Sequence, residues 1–174
     1  MTVILETERL RLREIVPADF DFVAEMLADP KVMHFFPRPL TLSQSAAWLE
    51  QQLRRYAEDR HGLWLVENRR TGQAIGQVGL LMQNVEGVRE PEISYLLHRP
   101  FWHCGYATEA GLGVRAFAFG RLEKSSVISL VRPINTASEA VARRLGMVPE
   151  RAVTFHAYAH VVFRVSRPAT GGAA

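Results

Sequence analysis

The sequence predicts an α/β (α+β) fold: a mixed central sheet of about six to seven strands with helices on both faces. Three observations carry this. Runs of strand length, alternating or largely apolar, recur from residue 5 to residue 165. Segments whose apolar residues repeat at helical spacing are interleaved with them. One largely apolar run, Val127–Val131, interrupted by Ser129 alone, lies between two helical segments, the setting of a central strand covered on both faces.

The elements follow in order. Leu5 to Ile15 alternates strictly and reads as a first strand, with Arg9, Arg11 and Arg13 on a wet face. Pro17, at the preferred first position, starts a helix whose stripe is Phe20, Val23, Ala24 and Leu27, and Asp29-Pro30 stops it. Residues 33–39 hold two prolines and no period, hence a loop. Ser43 is the expected N-cap of a second helix reaching about Asp59, with Ala47, Leu49, Leu53 and Tyr56 as its apolar positions. Strands are expected at 62–67, 74–81 and 92–98, a helix at 107–119 with Ala110, Val114, Phe117 and Ala118 inward, and the strand at 127–131. A helix at 135–145 and strands at 151–155 and 160–165 complete the chain. In the 135–145 helix, Thr136 and Glu139 have capping-box spacing, while Gly146-Met147 suits a glycine C-cap.

The 174 residues, 48% hydrophobic and 22% charged, suit one domain with a single core. It is expected over 1–167, with the small residues of 168–174 as a flexible tail. The net charge of +3 is scattered along the chain. No basic stripe with interleaved aromatics supports nucleic-acid binding. No apolar run approaches the ~20 residues of a membrane span, and no secretory leader is visible. The single cysteine, Cys104, permits no internal disulfide, so a cytoplasmic location is expected. Monomer and homodimer are both compatible with this reading.

The most informative stretch is Cys104-Gly105-Tyr106-Ala107-Thr108-Glu109-Ala110, which follows a strand and opens a helix. Such a turn presents unpaired N–H groups at the positive end of a helix dipole and can cradle a phosphate or pyrophosphate. It can equally be a plain strand-to-helix turn eased by Gly105. Asn135 to Ser138 opens the next helix, placing a hydroxyl in its first turn.

Taken together, Glu6 to Arg13, Glu92 to Leu97, Trp102 to Ala110 and Asn135 to Met147 resemble the GNAT N-acetyltransferases. The branch they look most similar to holds the ribosomal-protein N-terminal alanine acetyltransferases (RimJ/RimL-like). The resemblance runs in order from about residue 5 to residue 166. It implies a V-shaped splay between two central parallel strands, here 92–98 and 127–131, which takes the pantetheine of acetyl-CoA. The backbone near Leu96, Leu97 and His98 would pair with it, and the turn His103, Cys104, Gly105, Tyr106, Ala107 and Thr108 would hold the pyrophosphate. Asn135 would contact the pantetheine arm and Ser138 would lie near the thioester sulfur. The chain departs from the family in carrying His103 where glycine is usual, and in Cys104. Glycines 111 and 113 inside a helix cost on the order of 1 kcal/mol each, close packing being the one explanation the sequence offers.

Acetyl transfer to an amine needs a neutral nucleophile. An α-amine is about 10–15% neutral at pH 7 and a lysine amine about 0.04%, so a modest base suits the former. Glu92 is the candidate base, against the reading of a solvated strand-end carboxylate. A backbone N–H near Leu97 would polarise the carbonyl, and Ser138 would protonate the leaving thiolate. His34, Phe35, Phe36 and Tyr95 are the candidate acceptor contacts. The expected activity is direct transfer from acetyl-CoA, without a metal, to a peptide or protein N-terminal amine. A small-molecule amine, or a non-catalytic acyl-CoA sensor, is the alternative.

Overall fold

The computed structural model describes residues 2–168. The expected tail therefore lies, beyond Pro168, outside the described residues. The predicted first strand is two: β1 (Val3–Glu6) and β2 (Leu10–Glu14) form an antiparallel pair, with Thr7 N–H closing the turn on Leu10 C=O. This raises the strand count to eight. Arg9 and Arg11 keep the wet position expected of all three arginines, and Arg13 does not. Arg13 is buried between Asp19 and Glu67, 2.7 Å from each, and Arg9 is held by Glu109.

After a 3-10 turn at Pro17–Asp19 come α1 (Phe20–Ala28) and α2 (Leu42–Glu58). The N-cap of α2 is Thr41, not Ser43. Thr41 has Gln44 three residues on, and the two exchange side-chain and backbone hydrogen bonds in a capping box. The inward stripe is also different: Ser45, Leu49 and Gln52 are buried, while Ala47 and Leu53 are exposed on the far side.

The strands β3 (Leu63–Asn68), β4 (Ala74–Val85) and β5 (Val88–Leu97) form an antiparallel meander. Both β4 and β5 run longer than expected because they share a two-residue hairpin. Glu86 (φ 51°) and Gly87 (φ 87°) are both left-handed, the backbone of a tight hairpin turn. Next come α3 (Tyr106–Gly120), β6 (Ser126–Val131), α4 (Thr136–Arg144), β7 (Val148–Phe155) and β8 (Tyr158–Ser166).

All eight strands form one sheet in the order β1-β2-β3-β4-β5-β6-β8-β7, antiparallel except for β5 with β6. One face packs on α3 and α4 through Leu12, Val78, Ile93, Val114 and Leu145; the other packs on α1 and α2 through Ile15, Met26, Leu49 and Leu65. The sheet thus holds β5 and β6, and the gap between them, in a layer closed on both sides.

Candidate active site

The parallel pair β5–β6 is in register at one position, Glu92 opposite Ile128. In a continuing parallel ladder the next bond would run from Leu130 N–H to Ile93 C=O. Side chains take both places instead: Ser129 Oγ donates to Ile93 C=O (2.7 Å), and Leu130 N–H donates to Glu92 Oε1 (3.2 Å). Gln83 Nε2 donates to the other carboxylate oxygen at 2.8 Å. Glu92 thus wedges the strands apart from inside the sheet. It is four residues into β5, 7% exposed, and not the solvated strand end weighed from sequence. Burial pushes its carboxyl above the ordinary range, opposed by the Gln83 and Leu130 hydrogen bonds and by the nearby Arg55 charge.

Past the wedge, β5 presents its odd-numbered residues to the gap. Register pairs Leu96 with Gln77 of β4, and His98 N–H goes to Ile75 C=O (2.9 Å). Of the expected backbone near Leu96, Leu97 and His98, the Leu96 and His98 groups are thus engaged with β4. Alternation leaves the Tyr95 groups and the Leu97 N–H facing the gap, while the Leu97 carbonyl accepts from Trp102 Nε1 at 2.8 Å.

Trp102 leads into the turn. His103 (φ 61°) and Gly105 (φ 78°) are both left-handed, and Gly105 is the N-cap of α3 with no side-chain cap. The first helical bond is Glu109 N–H to Gly105 C=O, so the amides of Tyr106, Ala107 and Thr108 have no intrahelical partner. Beneath the turn, Glu109 accepts from Thr7 Oγ1 (2.6 Å), Arg9 N–H (2.8 Å) and Arg9 Nε (2.6 Å). Arg9 also donates to Cys104 C=O (3.1 Å) and stacks on Tyr106. Burial works to raise Glu109, but these hydrogen bonds hold it below the ordinary range. A carboxylate under an anion cradle is thereby neutralised. Sequence reading missed Thr7, Arg9 and Glu109 in this role, and a pairing across about a hundred residues leaves no local signal.

Across the gap, α4 is capped by Asn135, whose Oδ1 accepts from Ser138 N–H at 3.0 Å. The Thr136–Glu139 box is not formed; Glu139 pairs with Arg143 at 2.8 Å instead. The C-terminus is as expected: Gly146 (φ 80°) and Met147 donate to Arg143 and Ala142 carbonyls. Tyr95 Oη donates to Ser138 C=O (2.8 Å), tying the first turn of α4 to β5, and burial raises its phenol above the usual value.

Two cavities meet here. One, of about 400 Å³, is lined by the 102–108 turn except Cys104, by Leu97, and by the basic side chains of Lys31, His103 and Arg144. The other, of about 700 Å³, holds Glu92, Gln77, Gln83, Phe36 and Ser129 in its wall. Phe35, Tyr95, Leu96, Asn135 and Ser138 line both. Three expected residues are left out of both walls. His34 is exposed and stacks on Phe35, His98 packs against Phe22 and Phe101, and Cys104 is exposed. No cluster of three metal-ligating side chains occurs among the described residues, and none of their helices is long and apolar enough to cross a membrane.

A splayed parallel pair with an anion cradle at one end and a buried carboxylate at the other defines an acyl-transfer fold built for a phosphate-bearing acyl carrier. Comparison with known proteins supplies the family. The profile of the acetyltransferase (GNAT) domain matches residues 9–148, and the chain belongs to that family of enzymes. The uncharacterized protein YkkB of Bacillus subtilis (strain 168) is 32% identical over 144 residues, 82% of this chain and 84% of its own. The crystal structure of an acetyltransferase from Agrobacterium tumefaciens str. C58 superposes with a TM-score of 0.82 at 30% identity, covering 94% of each chain. RimL, a ribosomal-protein α-N-acetyltransferase solved with coenzyme A, shares the fold, with a TM-score of 0.76 at 15% identity over 95% of this chain and 97% of its own.

Proposed function

We propose that this enzyme transfers the acetyl group of acetyl-CoA directly to a primary amine, best an N-terminal α-amine, in a ternary complex. The observation that carries the reading is Glu92: a buried carboxylate, raised by burial above the ordinary range, in the wall of the larger cavity. The smaller cavity fits the co-substrate. The free amides of Tyr106, Ala107 and Thr108 would hold the pyrophosphate, with the side chains of Lys31, His103 and Arg144 around it. When bound there, acetyl-CoA supplies an activated thioester.

The residues of the chain then divide the work. Glu92 takes the proton of the incoming amine, directly or through one water. The Leu97 N–H, facing the gap, polarises the acyl carbonyl. Ser138, held in the first turn of α4 by Asn135 and Tyr95, donates a hydrogen bond to the departing thiolate, which takes its proton from solvent. A thiolate of pKa about 8.5 leaves tolerably unaided, so Ser138→Ala costs less than loss of Glu92. Cys104 lies outside both cavity walls, which favours direct attack over an acyl-cysteine. Its free thiol fits a reducing cytoplasm.

The test is calorimetric binding of acetyl-CoA, followed by thiol release against N-terminal peptides and small amines. Binding with acceptor-dependent release supports the reading. Binding without release from any acceptor replaces it with an acyl-CoA sensor, and absence of binding removes it.

A further inference from the structure

The larger cavity is unbalanced in charge. Its wall carries three arginines, Arg38, Arg55 and Arg132, against one carboxylate, Glu92. None of the three lies within 4.0 Å of a carboxylate among the described residues, although most other arginines near this site are paired in that way. Arg55, from α2, gives one N–H to Gln52 Oε1 (3.3 Å), and burial lowers it below the usual arginine value, opposed by Glu92 and Asp59. Arg132, just past β6, donates to Phe35 C=O (3.0 Å) and stacks 4.4 Å above the Tyr158 ring. Each keeps guanidinium donors uncommitted. These arginines are separate from the co-substrate's basic side chains, since Lys31, His103 and Arg144 line the other cavity.

The opposite requirement is also present in this wall. Glu92 is the acceptor this wall offers an amine; Gln77, whose buried Oε1 has no hydrogen-bond partner, stands opposite Leu96, four residues farther along β5. Half-buried guanidiniums that touch no carboxylate have donors that a ligand anion can complete. A cavity that takes an amine at Glu92 while presenting arginines without a contacting carboxylate suits a molecule holding both charges.

We propose that the acceptor carries an anionic group, a carboxylate or phosphate, close to its reacting amine, and that Arg55 and Arg132 select it. This rests on the acetyltransferase reading for the meaning of the cavity. Cationic polyamines are disfavoured acceptors. Peptides are accepted best when the anion is near the N-terminus.

The test uses matched pairs: alanine and alaninamide, 2-aminoethyl phosphate and ethanolamine, and short peptides with Asp or Asn in the second position, with spermidine as the cationic extreme. Each is titrated calorimetrically into the protein saturated with coenzyme A, then assayed for thiol release with acetyl-CoA. The anionic member of at least one pair binds at least tenfold tighter, and the pair that responds tells free carboxylate, phosphate and acidic peptide apart. Arg55→Gln and Arg132→Gln each shrink that ratio toward one, while Arg55→Lys retains part of it. Equal binding within every pair, or tighter binding of spermidine, overturns the proposal. Because binding is read without turnover, a protein that binds the anionic members yet releases no thiol upholds the selectivity and overturns the acetyltransferase reading alone.

Discussion

Glu92 is raised by the same burial that splays the strands, and this gives it opposite effects on stability and on activity. A carboxyl whose pKa is raised on folding carries no penalty below the ordinary carboxylate value of about 4.3 and a full one once pH has risen through the folded value. Glu92→Gln is therefore expected to raise Tm at pH 8, with the gain closing toward pH 4, in thermal melts across that range. The same change lowers kcat/KM about 10²–10⁴-fold at pH 7, the range of a general base. The deficit narrows above about pH 8, where an α-amine is neutral without help. A deficit that is uniform across pH would show that Glu92 is not the base. At the turn, Gly105 is needed for its backbone, since a Cβ there would meet only Arg9 at 3.5 Å, while φ is 78°. Gly105→Val strains that conformation and is expected to weaken acetyl-CoA binding at least tenfold by calorimetry. His103 shares the left-handed conformation, which accounts for the usual glycine at its position and shows that this chain accepts the strain.

Elements meet the site by their ends. α3 brings its N-terminus, and its glycines have a packing reason: a Cβ at Gly111 would lie 2.9 Å from Leu145, and one at Gly113 3.0 Å from Leu5. The close approach that sequence could only suggest is thus made to α4's end and to β1. α4 is placed against β5 by one hydrogen bond, Tyr95 Oη to Ser138 C=O. Tyr95→Phe is expected to cost about 0.5–1.5 kcal/mol in denaturant melts and to lower kcat up to about tenfold by loosening that helix start. Unchanged turnover would show that α4 holds its place without β5. Of these elements, the β4–β5 hairpin was the one not read in the sequence, where the strands were expected to stop at 81 and start at 92. Glu86-Gly87 sets Leu81 opposite Glu92, so Gln83 is its diagonal neighbour. The polar run from Gln83 to Glu90 hides this because it breaks the apolar alternation that marks a strand.

At the scale of the molecule, eight strands and two cores keep a gap open in the middle of a sheet, and the buried ions hold the frame. Arg13 joins β2, β3 and the Pro17–Asp19 turn through Asp19 and Glu67. Arg13→Ala leaves two half-buried carboxylates without a partner and is expected to cost about 3–5 kcal/mol in chemical denaturation. Arg89→Ala, which breaks an exposed pair with Asp59, is expected to cost under about 1 kcal/mol in the same measurement. The order of elements, the strand-to-helix turn at 103–108 and the helix at Asn135 were legible in the chain, because apolar period, proline, glycine and caps act over neighbouring residues. The residues that meet at the gap were not. Glu92 with Leu130, Arg9 with Glu109, and Arg55 and Arg132 in one wall are contacts between segments distant in sequence. Whether an arginine alternating with leucines faces water or a buried carboxylate depends on what packs over it. Local chemistry in the sequence determined which elements form and where they begin; only their packing decided which charges are buried, which are paired, and which are left free for a substrate.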